Sequence, residues 1–130
     1  MKILLVSESQ SLYDFTNKIV GEEHTILWYS HSVLQKVGNS DGDIAIMDFS
    51  KEMIETGVFI SIITVKGRLG NSIPILVIME EPAMQDIYEV LELGAFDYLE
   101  KKDIPEKYEK KIVELIRWAW YLEKHEKQKK

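Results

Sequence analysis

The sequence predicts an α/β protein, a three-layer, doubly wound parallel sheet with helices on both faces. Short, almost wholly apolar runs alternate with longer stretches whose apolar residues recur at helical spacing. Strands that are apolar on both sides are typical of parallel sheets covered by helices, and their alternation with helices is the pattern of successive βαβ units. The chain has 130 residues, which leaves room for one such domain.

Five apolar runs are the predicted strands: Ile3 to Val6, Thr25 to Tyr29, Ile44 to Met47, Ile73 to Met79 and Tyr98-Leu99. The first four are apolar throughout or nearly so, as expected where both faces of a strand are buried. The fifth is shorter. Each run is separated from the next by a segment long enough to contain a helix.

Three of these segments carry clear helix signals. The first has apolar residues at helical spacing behind Ser9 and Ser11, and Gly21 can end it in a left-handed conformation. The second, with Val33, Leu34 and Val37, is short and is predicted to end at Gly38. The fourth follows Pro82 in its first turn and ends at Gly94.

The third predicted helix lies in a run rich in β-branched residues, Val58 to Val65. Local propensity alone favours a strand there. However, two parallel strands need a crossover of about a dozen residues or more, and a right-handed helical crossover is the usual solution. We therefore predict a helix.

The last helix is predicted to begin at Asp103, with Glu106 three residues later as a capping partner. An apolar stripe then runs to Leu122, so that the predicted domain spans residues 1–122. Residues 123–130 are polar and are predicted to be the solvated end of this helix or a tail.

Composition and charge exclude several classes of function. The chain is 45% hydrophobic and 29% charged, as in globular proteins, and it has no cysteine, which excludes thiol chemistry and Cys-ligated metals. The net charge of −6 disfavours nucleic acid and anionic membranes as partners. No apolar run is long enough to cross a bilayer, and we expect a cytoplasmic protein.

Polar side chains follow the predicted strands at their carboxyl ends, where open α/β sheets bind ligands. They include Ser7, Glu8, Asp48, Glu80 and Lys101. Carboxylate oxygens suit Mg²⁺, and a lysine offers a point charge to a phosphoryl group. Asp48 could also act as a nucleophile, as aspartates do when they form acyl phosphates.

Two segments strengthen this expectation, Asp43-Ile44-Ala45-Ile46-Met47-Asp48 and the Gly-Ala-x-Asp-Tyr-Leu-x-Lys run that ends at Lys101. They resemble the phosphoacceptor and lysine segments of bacterial response-regulator receiver domains of the chemotaxis-regulator-like kind. The resemblance to these domains covers essentially the whole chain. The resemblance implies a flavodoxin-like sheet of five strands in the order 2-1-3-4-5. It also implies that a sensor histidine kinase phosphorylates Asp48, with Mg²⁺ and Lys101 assisting. By the same match, Glu8 and the Ser50 carbonyl are metal ligands, and Tyr98 is the aromatic residue that reports activation.

The sequence also departs from the family pattern. Ser7 replaces an acidic residue, so only a weakened magnesium site is expected. Met79 replaces the usual Ser or Thr, and a thioether is a weak acceptor with no hydrogen to donate. Glu80 replaces a small residue and could repel a phosphoryl group, pair with Lys101 or replace the missing metal ligand. Lys102 replaces the proline that commonly follows the lysine, which disfavours a cis peptide there. The loop after Asp48 also differs, because it lacks the usual proline and its Gly57 comes about one residue later than in the family pattern.

The last helix suggests a partner surface. On a helical wheel of about 100° per residue, Val113, Trp120 and Tyr121 point away from the apolar stripe, and Trp and Tyr are enriched at interfaces. The resemblance implies a homodimer through the fourth helix, fifth strand and fifth helix. The alternative is that Trp118 and Trp120 only cover the sheet edge. His24, His31 and His125 lack metal-ligand spacing, and surface or strand-edge roles are expected for them.

Three hypotheses for function follow. The first is a stand-alone, atypical receiver domain in a two-component phosphorelay, in which Asp48 accepts phosphate from a histidine kinase or a small phosphodonor. The second is a pseudo-receiver that keeps the fold and binds other signalling proteins without being phosphorylated. Neither is an enzyme. The third is a flavodoxin-like enzyme or electron carrier that holds a flavin phosphate with Ser7, Ser9 and Ser11, although no glycine there brings backbone N–H groups close.

Overall fold

A computed structural model describes residues 1–37, 41–56 and 59–128, with the backbone alone for 126–128. The strands are β1 (Lys2–Val6), β2 (Thr25–Tyr29), β3 (Ile44–Phe49), β4 (Ile75–Met79) and β5 (Asp97–Glu100). The helices are α1 (Gln10–Val20), α2 (His31–Lys36), α3 (Lys51–Glu55), α4 (Ile60–Leu69), α5 (Met84–Glu92) and α6 (Ile104–Gln128). A 3₁₀ turn, Lys101–Asp103, joins β5 to α6.

The five strands form one parallel sheet in the order β2-β1-β3-β4-β5. This confirms the predicted α/β class and the strand order that the resemblance implies. The register places Val6 beside both Tyr29 and Met47, and Asp48 beside Ile78. The carboxyl ends of β1 and β3 therefore lie next to each other, at the centre of the sheet.

Each strand contributes alternate residues to two separate apolar layers. In β3, Ala45, Met47 and Phe49 pack under α2 to α5, whereas Ile44 and Ile46 pack under α1 and α6. This alternation follows from the two-residue period of a strand. It also places Asp48, the next even-numbered residue, on the side of α1 and α6.

The crossover between β3 and β4 contains two helices rather than one. Ile60 to Val65 of the β-branched run are helical, as predicted, and α4 extends beyond them to Leu69. A short α3 precedes it, capped by the Ser50 side chain, which accepts from Met53 N. Topology therefore overrides the strand propensity of this run. Gly57 and Val58, and also Gly38 at the predicted end of the second helix, lie outside the described residues.

The helix ends agree with the sequence signals in part. Ser9 caps α1, and Gly21 ends it with a φ of 62°. Pro82 is not in the first turn of α5, because Ala83 is the capping position and its N–H donates to Asp86. Asp103 is not the cap of α6 either, since it lies in the 3₁₀ turn that runs directly into this helix.

Helix α6 continues past Leu122 to Gln128. Its buried stripe comprises Tyr108, Ile112, Leu115 and Ala119. Within the described residues, no helix is both long enough and apolar enough to span a membrane.

A buried hydrogen bond joins α1 to α6. The Oγ1 of Thr16 lies 2.7 Å from the Tyr108 hydroxyl and donates its own hydrogen to the Leu12 carbonyl, also at 2.7 Å. Because that hydrogen is already used, Tyr108 must be the donor to Thr16. Both side chains are fully buried.

We predict that Thr16→Val destabilises the protein by about 1–3 kcal/mol, because the buried Tyr108 hydroxyl loses its acceptor. Urea unfolding measures the effect. Thr16→Ser, which keeps the hydroxyl, is the matched control. Adding Tyr108→Phe to Thr16→Val should cost less than the sum of the two single changes, and strict additivity would contradict the assigned bond.

Candidate functional site at the carboxyl edge of the sheet

Three of the predicted site residues meet at the carboxyl ends of the central strands. The Ser7 hydroxyl donates to Asp48 Oδ2 at 2.7 Å, and Lys101 Nζ lies 3.5 Å from Asp48 Oδ1. Ser7 follows β1 with the same parity as Ile3 and Leu5, and Asp48 continues the row of Ile44 and Ile46. Strand alternation therefore directs both side chains to the α1 and α6 side, where the turn after β5 brings Lys101.

The Asp48 carboxylate is almost completely buried, with an exposed fraction of 4%. Its Oδ2 accepts the Ser7 hydrogen bond. Its Oδ1 has no hydrogen-bond partner among the described residues, so that the Lys101 ammonium is its main electrostatic partner. An uncompensated buried charge is costly, and the Asp48 carboxylate is therefore stabilised by one hydrogen bond and one ion pair.

His31 binds the backbone of Asp48 from the opposite side of the sheet. Its Nε2 lies 2.7 Å from the Asp48 carbonyl oxygen, and its Nδ1 lies 3.0 Å from Ser61 Oγ on α4. Because a carbonyl only accepts hydrogen bonds, Nε2 must carry a hydrogen. In the neutral ring, Nδ1 then accepts from Ser61. His31 and Ser61 are buried, and the imidazole packs against Phe49 at a centroid distance of 4.8 Å.

The two other predicted metal ligands have intramolecular partners. Glu8 Oε1 accepts from the His31 backbone N–H at 2.9 Å. The Ser50 carbonyl accepts from Ile54 N at 3.0 Å, within the first turn of α3. No cluster of three or more His, Asp or Glu side chains that could hold a metal occurs in the part of the chain that the structure describes. With Ser7 bonded to Oδ2, the residues present do not fit a magnesium ion in this arrangement.

Met79, which stands in place of the usual Ser or Thr, and Tyr98, the aromatic residue expected to report activation, lie on the other face of the sheet. Met79 is fully buried in the layer under α2 to α5, and Tyr98 packs against the same layer. The Met79 thioether therefore contributes to the apolar core, and it offers no hydroxyl to a phosphoryl oxygen.

The loop after β4 is tied to the start of α3. Glu80 Oε1 accepts from Lys51 N at 2.9 Å, and Lys51 Nζ donates to Glu81 Oε2 at 2.8 Å. The hydrogen bond from Lys51 holds the pKa of Glu81 below its usual range. Glu80 thus contacts α3, while Lys101 pairs with Asp48. Lys102 is exposed, and all described peptide bonds are trans.

Tyr108 lies in the core, close enough to the site for the Asp48 charge to affect its pKa. Burial raises the pKa of its phenol, the Thr16 hydrogen bond lowers it, and the nearby Asp48 charge raises it further.

The serine hydroxyls predicted to hold a flavin phosphate make hydrogen bonds within the chain. Ser7 donates to Asp48, and Ser9 caps α1 and contacts Ser11.

The fold has relatives among solved structures, whereas no family model and no curated protein matches the sequence. A response regulator receiver protein from Pseudoalteromonas atlantica is 19% identical with a TM-score of 0.71, over 92% of this chain and 99% of that one. A CheY-like response regulator from Mesorhizobium loti is 11% identical with a TM-score of 0.67, over 91% of this chain and 97% of that one. The chain has the receiver-domain fold.

The same fold also occurs in the pilus assembly protein CpaE from Caulobacter crescentus. It is 9% identical with a TM-score of 0.62, over 93% of this chain and 92% of that one. Proteins with different names thus share the receiver fold, and the fold by itself does not determine what the site does.

The predicted partner-surface residues on α6 of this receiver fold separate into two groups. Tyr121 stacks with Trp118, which in turn stacks with Phe96 before β5. Trp120 instead lines a cavity on the other side of α6, and Val113, seven residues earlier, shares its side of the helix. All five residues are exposed.

Sequence analysis missed the role of His31 and did not identify Ser61. The predictions for His31 were a surface or a strand-edge role, whereas its imidazole is buried beneath the Asp48 carbonyl. The available signal was its position at the carboxyl end of β2, two places from β3 in the sheet. Its partner Ser61 lies on α4, and this pairing depends on how the helix packs, which the sequence pattern does not specify.

We predict that His31→Ala destabilises the protein by about 2–4 kcal/mol, because the buried Asp48 carbonyl and Ser61 hydroxyl both lose their partner. Chemical denaturation measures the loss. His24→Ala is the matched control, since His24 Nδ1 has no hydrogen-bond partner within the described ranges, and it should cost less. Equal losses in the two variants would contradict a bridging role for His31.

Proposed function

We propose that this chain is a pseudo-receiver, a signalling module with the receiver fold that acts through protein contacts and does not depend on phosphorylation of Asp48. The observation that carries the proposal is the Ser7–Asp48 hydrogen bond of 2.7 Å. Through this bond Ser7 occupies the Oδ2 atom of Asp48. Ser7 stands at the position where the family pattern has a second acid.

The electrostatics of the site support this function. Phosphoryl transfer places negative charge on the transferred group, and proteins stabilise that charge with metal ions or cationic side chains. Lys101 is the cation at Asp48, and it already pairs with Oδ1. Glu8 accepts from the first backbone N–H of α2, and the described residues contain no cluster of three or more acidic or histidine side chains to which it could belong.

The loop geometry supports it as well. In the response-regulator mechanism implied by the resemblance, a hydroxyl at the end of the fourth strand contacts the phosphoryl group. Here that position is Met79, buried in the core, and the next residue, Glu80, is bonded to Lys51. The loop is therefore held by contacts within the chain.

The rival function is phosphorylation of Asp48 by a histidine kinase or a small phosphodonor, assisted by a weak magnesium site. Two features favour it: Asp48 Oδ1 has no hydrogen-bond partner among the described residues, and Lys101 Nζ lies 3.5 Å away. Under either function we propose that the partner is a signalling protein. We further propose a homodimer through α5, β5 and α6, the elements that correspond to the family's interface.

We expect no phosphoryl adduct when the wild-type chain is incubated with acetyl phosphate or phosphoramidate and excess Mg²⁺. Asp48 keeps its partners Ser7 and Lys101, and the described residues around it form no cluster of metal-binding side chains. Intact-mass spectrometry measures the adduct. Asp48→Asn is the matched control for modification elsewhere. An adduct in the wild type that is absent in Asp48→Asn would overturn the pseudo-receiver proposal in favour of the phosphoacceptor.

A second prediction concerns Ser7→Asp, which places a second carboxylate against Asp48. Two unit charges about 4 Å apart repel by roughly 1–4 kcal/mol, so the variant should unfold at a lower temperature without metal. Magnesium should then stabilise Ser7→Asp more than the wild type, because ligand binding to the native state raises stability. Thermal unfolding with and without MgCl₂ measures both effects, with Ser7→Asn as the neutral control. Equal stabilisation of wild type and Ser7→Asp by magnesium would contradict the idea that a second carboxylate at position 7 creates a cation site beside Asp48.

A further inference from the structure

The amino ends of the strands, at the edge opposite Asp48, contain a cavity of about 440 Å³. Met1 precedes β1, His24 precedes β2 and Asp43 precedes β3, and all three line it. The second half of α6 closes the other side with Ile116, Arg117, Trp120 and Glu123. A second cavity of about 200 Å³ shares Met1, Asp43 and Glu123 with it.

The lining combines apolar surface with a few polar groups, the usual character of small-molecule sites. Ile116 supplies an aliphatic surface and Trp120 a planar one. His24 Nδ1 is buried and has no hydrogen-bond partner within the described residues. Because solvent does not reach this atom, it does not face the cavity, and His24 contributes the surface of its ring to the lining.

The charges favour an anionic ligand. Arg117 is exposed and makes no hydrogen bond or ion pair to a described residue. Lys124 Nζ adds a second positive charge 4.9 Å from the centroid of the Trp120 ring. Of the two carboxylates, Asp43 Oδ2 accepts from Lys2 N at 2.7 Å, and Glu123 is also engaged. The guanidinium can therefore bind a planar carboxylate through two parallel hydrogen bonds.

We propose that this cavity binds a small planar aromatic carboxylate. The ring lies against Trp120 and Ile116, and Arg117 binds the carboxylate. This site is independent of the Asp48 site and of whether Asp48 is phosphorylated.

The experiment uses 2-naphthoate as the probe and follows ¹⁵N–¹H spectra of the full chain. The three tryptophans distinguish the candidate sites. The Trp120 indole N–H should shift and saturate with a dissociation constant of about 1 mM or tighter. Trp28, whose Nε1 donates to the Ser7 carbonyl at the other edge of the sheet, should not move, and neither should Trp118.

Arg117→Gln should weaken binding about tenfold, the effect expected for loss of a charge-assisted hydrogen bond. Lys110→Gln, an exposed change on the same helix, is the matched control, and 2-naphthylmethylammonium is the cationic control ligand. The proposal fails if no saturable shift is seen, or if Trp118 shifts instead of Trp120. It also fails if Arg117→Gln binds as tightly as Lys110→Gln, or if the cation binds as tightly as the carboxylate.

Discussion

The buried Asp48 carboxylate at the end of the central strand is the constraint on which the carboxyl edge depends. Strand alternation directs it into the layer between the sheet and α1 and α6, where its exposed fraction is only 4%. A buried charge must be paired or hydrogen-bonded. Ser7 from β1 and Lys101 from the turn after β5 provide that compensation. Three segments distant in sequence are therefore held together by one side chain.

The polar contacts continue from Asp48 to the loops around it. Its carbonyl accepts from His31, whose backbone N–H donates to Glu8 and whose ring reaches Ser61 on α4. This chain of contacts joins the ends of β1, β2 and β3 to a helix on the other face. Because these partners belong to the protein itself, the loops keep their positions without a bound group. A site arranged in this way favours one conformation, whereas a switch needs two of similar free energy.

The sequence predicted the sheet well because apolar runs and strand parity are local patterns. The same parity explains why Ser7, Asp48 and Lys101 converge. Sequence patterns say less about loops and helix packing. The division of the β3–β4 crossover into α3 and α4, the burial of His31 and the separation of Trp120 from Tyr121 all depend on how helices rest on the sheet. His31, for example, contacts Asp48 and Ser61, which are 17 and 30 positions away in the sequence and beyond the reach of periodicity.

The replacement at Ser7 has a physical consequence for the whole edge. Two acids at this point would repel each other and would be stable mainly with a cation between them, so their geometry would respond to metal and phosphoryl groups. A hydroxyl converts the repulsion into a hydrogen bond of 2.7 Å. The edge then no longer needs a cation for stability, and it loses the charge imbalance through which a ligand could change its shape. The neighbouring strand β4 ends in Met79, a buried side chain without a hydroxyl, so that neither Ser7 nor Met79 supplies the group that the family pattern has at its position.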